Sequence, residues 1–220
     1  MYPLAILKQE TKIHPLLGDA LRGDPHVFDF SAANPSASEY ETTDYDAFQS
    51  AILEELERSG KQWGVGRYLE ERRTLLRNYP QMIEEGRVYH AGLDITSPAG
   101  TPLYAPIEGT VFQTGIDEGQ GNYGGYVVLK HVIADETFYS FYGHLSSDHS
   151  VGTGQKIPQG EQFAELGQYE DSGGWFSHVH LQVHTEKSIQ EGNLLQGYVD
   201  ETVLPYINTV FPSPYPLFRC

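Results

Sequence analysis

The chain has 220 residues, enough to bury roughly 70% of its unfolded surface without a disulfide staple, and its one cysteine, Cys220, excludes an intrachain bridge. Against 14 basic residues stand 30 acidic ones, and the formal charge of −16 excludes the electrostatic footprint of a nucleic-acid or anionic-lipid partner. No apolar run approaches the ~20 residues of a membrane crossing, while 23 Gly, 13 Pro and 15 Tyr favour a β-rich fold with many turns.

Met1–Lys8 shows neither the basic segment nor the apolar stretch of a secretory signal, so a reducing, cytoplasmic compartment is expected, with Cys220 an exposed terminal thiol. Residues 1–86 read as a helix and loop extension. Asp24-Pro, Asn34-Pro and the serines at 36 and 38 mark loops. Thr43 and Asp44 are both capping residues, Thr43 in a capping-box arrangement with Asp46. Tyr45, Phe48, Ile52 and Leu56 recur at helical spacing until Gly60 ends the pattern, with Asp46, Glu54, Glu55 and Glu57 on a solvated face. That apolar stripe needs a partner, so the extension is expected to pack on the remainder as one compact unit. The Asn34-Pro loop is expected to reach the active cleft.

Residues 87–186 read as the core. Short strands are predicted at Pro102–Ala105, Thr110–Gly115, Tyr126–His131, Thr137–Tyr142, Gln162–Leu166 and His178–His184. Their spacing predicts a fold that is mainly β with some α, an antiparallel roll or sandwich. Gly119–Gly125 reads as a loop between strands, since no helix signal or Lys-Ser/Thr follows to make a phosphate cradle. Residues 187–220, with Pro212, Pro214 and Pro216, read as an extended tail along the core.

The nine histidines are the informative residues. In a straight strand His90 and Asp94 would sit ~13 Å apart, too far to share an ion, so joint ligation requires a bend at Ala91-Gly92. In His178-Val-His180-Leu-Gln182-Val-His184, alternation puts the polar side chains on one face and Val179, Leu181 and Val183 on the core face. A solvent-facing reading survives for His184 and Gln182. Tyr139–Ser146 ends a strand in Gly143-His144.

In this order the three patterns resemble the LytM and lysostaphin-type zinc endopeptidases, with their H-x-x-x-D, strand-end His-Leu and H-x-H. Ala99–Val111, Val127–His131, Gly152 through Gly160, and Leu166-Gly167 extend the likeness over about residues 88–185. The final strand departs from the usual H-L-H-F-E, and the Gly-Gly-Trp approach at 173–175 looks like modules joined to aminotransferases in some bacterial chains. The resemblance implies a duplicated hybrid motif fold and one Zn²⁺ held by His90, Asp94 and His180. It implies His144 and His178 as catalytic residues beside the water, one as base and one as oxyanion donor. It also implies a peptide or peptidoglycan-derived substrate. His131 and Gln182 would support the site; His14, His26, His149 and His184 are expected to be structural or superficial.

A non-hydrolytic relative that uses the cleft to bind a partner is the rival reading. A His-based carrier domain is another, suggested by Tyr104–Val111, but carriers lack His-x-x-x-Asp. Wall peptides lie outside the membrane, which conflicts with the expected compartment unless the substrate is a soluble muropeptide or export follows another route.

Overall fold

The computed structural model describes residues 12–148 and 150–218, so the expectations for Met1–Lys8, His149 and Cys220 fall outside the described residues. The N-terminal part contributes β1 (His26–Phe28), α1 (Tyr45–Ser59), β2 (Gly64–Gly66) and α2 (Pro80–Glu84). Next come β3 (Tyr89–His90), β4 (Leu93–Thr96), β5 (Pro102–Tyr104), β6 (Gly109–Asp117) and β7 (Gly124–Ile133). They are followed by β8 (Glu136–Leu145), β9 (Lys156–Ile157), β10 (Gln162–Glu165) and β11 (His178–Thr185). The C-terminal part adds α3 (Glu186–Gln190), β12 (Tyr198–Val199) and 3₁₀ turns at Leu204–Thr209 and Tyr215–Leu217. Among the described residues no helix is long and apolar enough to cross a membrane.

The protein is mainly β, as its turn-rich composition implies. Eight strands form one sheet in the order β1-β2-β4-β11-β8-β7-β6-β9, antiparallel except for β1 beside β2. The pair β5-β10 and the pair β3-β12 stand apart from it. All six strands read from the sequence are present, within a few residues of their bounds. Six short strands escaped, because two to four residues carry too little alternation to separate from loop: β1, β2, β3, β4, β9 and β12.

One face of the sheet, with Leu93, Ile95, Val127, Leu129, Val179 and Leu181, packs on Leu103 and Phe163 of the β5-β10 pair. The opposite face of β11 is buried too, although alternation alone allowed it to meet solvent: His178, His180, Gln182 and His184 are all buried. His184 donates or accepts at Ser188 and lies edge-on to Phe211. Chain from both flanks roofs this face.

The N-terminal extension therefore does more than lie on the sheet, since β1 and β2 are its first two strands at one edge. α1 starts where Asp44 accepts from the Ala47 amide (3.1 Å) and stops at left-handed Gly60; the Thr43 hydroxyl turns instead to Glu41. Its stripe of Phe48, Ile52 and Leu56 is buried against Phe28, Phe30, Trp175 and Phe176. Glu55 is not simply solvated, because it accepts from the Tyr40 hydroxyl and meets His26 at 2.6 Å. The C-terminal tail wraps the core as expected but in turns rather than extended chain, since Val210 and Phe211 are pinned under Ala91 and Val199.

His131 is expected from the sequence to support the site, but its contacts lie with Glu108, Ser140 and Phe138, away from the five site residues. Its Nδ1–H donates to Glu108 O (2.8 Å) and Nε2 accepts from the Ser140 hydroxyl (2.7 Å). Burial lowers its pKa from 6.5 to about 4. Between those values the unfolded chain binds a proton that the folded chain refuses, so stability falls as pH drops from 6.5 toward 4. His131→Asn should remove up to about 3 kcal/mol of that pH dependence, read as a smaller difference between urea midpoints at pH 7 and pH 4.5.

Candidate metal centre

The site forms where β4 and β11 lie side by side. Their register sets Asp94 directly opposite His180, and that of β11 with β8 sets His180 opposite Gly143, next to His144. His90 reaches the same point because the chain bends at residues 91–92, leaving the β3-β12 pair to enter β4. Gly92 serves close approach: a Cβ there would run into the His180 ring.

His90 Nε2, His180 Nδ1 and Asp94 Oδ1 mark the corners of a triangle with sides of 3.0, 3.1 and 3.2 Å. Neighbouring acceptors decide the tautomers. His90 Nδ1 must donate to Arg67 O (3.0 Å), and His180 Nε2 to Gln182 Oε1 (2.9 Å). The Gln182 amide is itself oriented by donating Nε2–H to Gln196 O (3.0 Å). In their neutral forms both rings therefore turn a bare lone pair toward the Asp94 carboxylate oxygen. Three acceptors with no proton among them fit a cation. A tetrahedral zinc with bonds near 2.1 Å sets its ligand atoms about 3.4 Å apart, close to the observed sides. Two nitrogens and one oxygen form the donor set of an open, catalytic site rather than a closed structural one.

His178 and His144 border the triangle. His178 Nδ1–H donates to Phe176 O (2.7 Å) and His144 Nδ1–H to Ser172 O (2.8 Å), so each keeps its Nε2 lone pair for the cleft. The rings are 4.4 Å apart, and His178 Nε2 lies 3.5 Å from Asp94 Oδ1. Burial lowers the pKa of both, that of His144 further through His178 and His180. His144 is held at φ 61°, costly for a residue with a Cβ. Its amide donating to Tyr123 O and its carbonyl accepting from Gly167 hold it there. The structure thus brings His90, Asp94, His144, His178 and His180 together. His14, His26 and His184 stand elsewhere, and the Asn34 loop does not line the cleft.

Sequence reading missed the groups that hold this constellation. Arg72, its side chain only 3% exposed, donates Nη1–H to Asp94 Oδ2 (2.7 Å) and Nε–H to Glu70 Oε2 (3.0 Å). Glu70 in turn meets Arg67, which reaches Asp29 at the surface. Burial would raise the Asp94 pKa, but His90, Arg72 and His178 outweigh it and hold the carboxyl well below its usual range. Tyr123 lies in the floor with its hydroxyl 3.3 Å from His180 Nε2. Neither residue carried a local signal: Arg72 sits in the charged run Glu70–Arg73, and Tyr123 in a glycine-rich loop.

Residues 88–192 match the sequence profile of peptidase family M23. This segment is an M23 domain of the LytM type. It is similar to an uncharacterised metalloprotease of Haemophilus influenzae, 35% identical over 95 residues, which are 43% of this chain and 18% of that protein. The peptidoglycan DD-endopeptidase ShyC of Vibrio cholerae is 33% identical over 78 residues, 36% of this chain and 16% of its own. The chain thus spans less than a fifth of either relative. Among solved structures, the catalytic domain of the prophage-encoded M23 protein EnpA from Enterococcus faecalis superposes with TM-score 0.39 at 26% identity. That match covers 51% of this chain and 75% of the other. The lysostaphin catalytic domain from Staphylococcus simulans gives 0.39 at 21% identity, over 55% and 80%.

The M23 domain borrows the Arg72 contact from outside its own bounds. Partners of metal ligands typically contribute 10–100-fold in metal affinity. Arg72→Met should weaken zinc binding by about that factor and Arg72→Lys by less, measured by competition with a chromogenic chelator.

Proposed function

We propose that this protein is a zinc-dependent peptidase that hydrolyses peptide bonds of peptidoglycan or of peptides derived from it. The observation that carries the reading is the triangle of three unprotonated acceptors with two further histidines turned toward the same cleft. The family of residues 88–192 supports the reaction class, and the similarity to a peptidoglycan endopeptidase supports the substrate. A module that only bound a partner would have no use for five such groups in a buried floor.

A zinc ion held by His90, Asp94 and His180 would polarise the scissile carbonyl and lower the pKa of a water on its open side. The chain's own residues then move the protons. Kept neutral by burial, one of His144 and His178 takes the proton of the attacking water at Nε2 and returns it to the departing amine. The other, having taken a proton from solvent at Nε2, donates from there to the developing oxyanion. Their Nδ1 protons stay on the carbonyls of Ser172 and Phe176, which fixes both rings for the exchange.

Mutation along one strand separates the roles. His180→Ala should lose zinc and activity together, whereas His178→Ala and His144→Ala should keep about one zinc per chain and lose roughly 10²–10⁴-fold in rate. His184→Ala, farther along the same face, should retain zinc and most activity. Elemental analysis before and after chelation, alongside digestion of purified peptidoglycan, reads both quantities. Zinc content unchanged in all four variants, or digestion of neither peptidoglycan nor the soluble muropeptides derived from it by the zinc-loaded protein, would overturn the proposal.

A further inference from the structure

The cleft above the metal centre is a cavity of about 530 Å³, the size range of pockets that enclose a small ligand. Its floor is the β4-β11-β8 region. One side is the loop joining β6 to β7, with Gln120, Gly121 and Asn122; the facing side is built by residues 72–87, which precede the M23 domain.

Both ends are bridged. At the end nearest His144, Tyr79 stacks on Trp175 (5.6 Å, 18°) and its ring lies against Gly121, where a Cβ would collide with it. The amide of Gly121 donates to Gly173 O (2.8 Å), so the loop, Tyr79 and the 173–175 turn are continuous. This barrier is not a free flap. Trp175 is buried on Phe48 of α1, and the Tyr79 hydroxyl donates to Thr42 O (3.4 Å). At the other end residues 195–198 cross the cleft. Gly197 packs on the Tyr123 hydroxyl with no room for a Cβ, its carbonyl accepts from Ala91 N–H (2.9 Å), and Tyr198 lies over His90. Tyr79 and Gly197 both belong to chain flanking the M23 domain.

We infer that the site takes short peptides, or the free end of a peptide, and excludes a bond in the interior of a long or cross-linked one; this rests on the peptidase reading above. An extended substrate advances about 3.3 Å per residue, so a bond cut in mid-chain requires both flanks to leave the site within a few residues. Here one flank meets the Tyr79–Trp175 barrier and the other the 195–198 segment, so at least one flank must be short. The charge of −16 works in the same direction, because it repels an anionic polymer surface but little affects a small soluble peptide.

The test uses the full-length zinc-loaded protein and soluble peptides that share one scissile bond, identified first from the digestion of a mixture of soluble muropeptides. Flanks are lengthened stepwise on one side, on the other, and on both. The value of kcat/KM should hold while one flank is short and fall by at least about tenfold once both exceed roughly three residues. Calorimetric binding of the same peptides to metal-free protein should show the same cut-off without any chemistry. Tyr79→Ala, which opens one end, should narrow the gap between long and short substrates severalfold. Equal cleavage of peptides long on both sides would overturn the inference and leave the peptidase reading standing. No cleavage at any length would overturn both. Should Tyr79→Ala fail to fold, the length series on the unaltered protein decides alone.

Discussion

Three acceptor atoms with no proton between them, buried within 3.2 Å of one another, are the constraint around which the rest of the structure is arranged. Such a cluster is unfavourable unless positive charge meets it. The chain supplies part of that charge on the outer oxygen of Asp94, through Arg72, and so leaves the inner oxygen for a cation. A buried arginine needs partners of its own, and the alternation Asp29, Arg67, Glu70, Arg72, Asp94 carries opposite charges from the surface to the site. Each link matters because removing one member of a buried ion pair leaves the other uncompensated.

Close approach is the second constraint. Gly92 lets the backbone lie against the His180 ring, and Gly66, opposite Asp94 on β2, leaves space that Arg72 and the Asp94 carboxylate fill. His144 needs its left-handed backbone to turn out of β8 toward His178, and it is held there by two backbone hydrogen bonds and by Ser172. The five side chains themselves stand on strands rather than on loops, which suits a site whose groups must stay within hydrogen-bonding reach of a reacting water.

The flanking segments complete what the M23 domain begins. Residues 26–88 add two strands, orient His90 through the Arg67 carbonyl and Asp94 through Arg72, and raise one side of the cleft. Residues 195–211 cover the polar face of β11 and orient Gln182. These contacts join the segments directly to His90 and Asp94.

The sequence alone determined what is local and chemical. Alternation placed the longer strands, spacing and the Asp44 cap with Gly60 placed α1, and three short motifs, through their resemblance to the LytM type, marked His90, Asp94, His144, His178 and His180 for one site. Those signals are legible because each depends on neighbours within a few positions. The tertiary structure alone decided the rest. Strands of two to four residues exist only because partners distant in sequence hydrogen-bond to them, as β2 does for β4. Arg72 is indistinguishable from a surface charge until 22 residues of intervening chain fold it onto Asp94. Burial of both faces of β11, and closure of the cleft by Tyr79 and Gly197, likewise rest on contacts between remote segments, to which no local pattern of side chains corresponds.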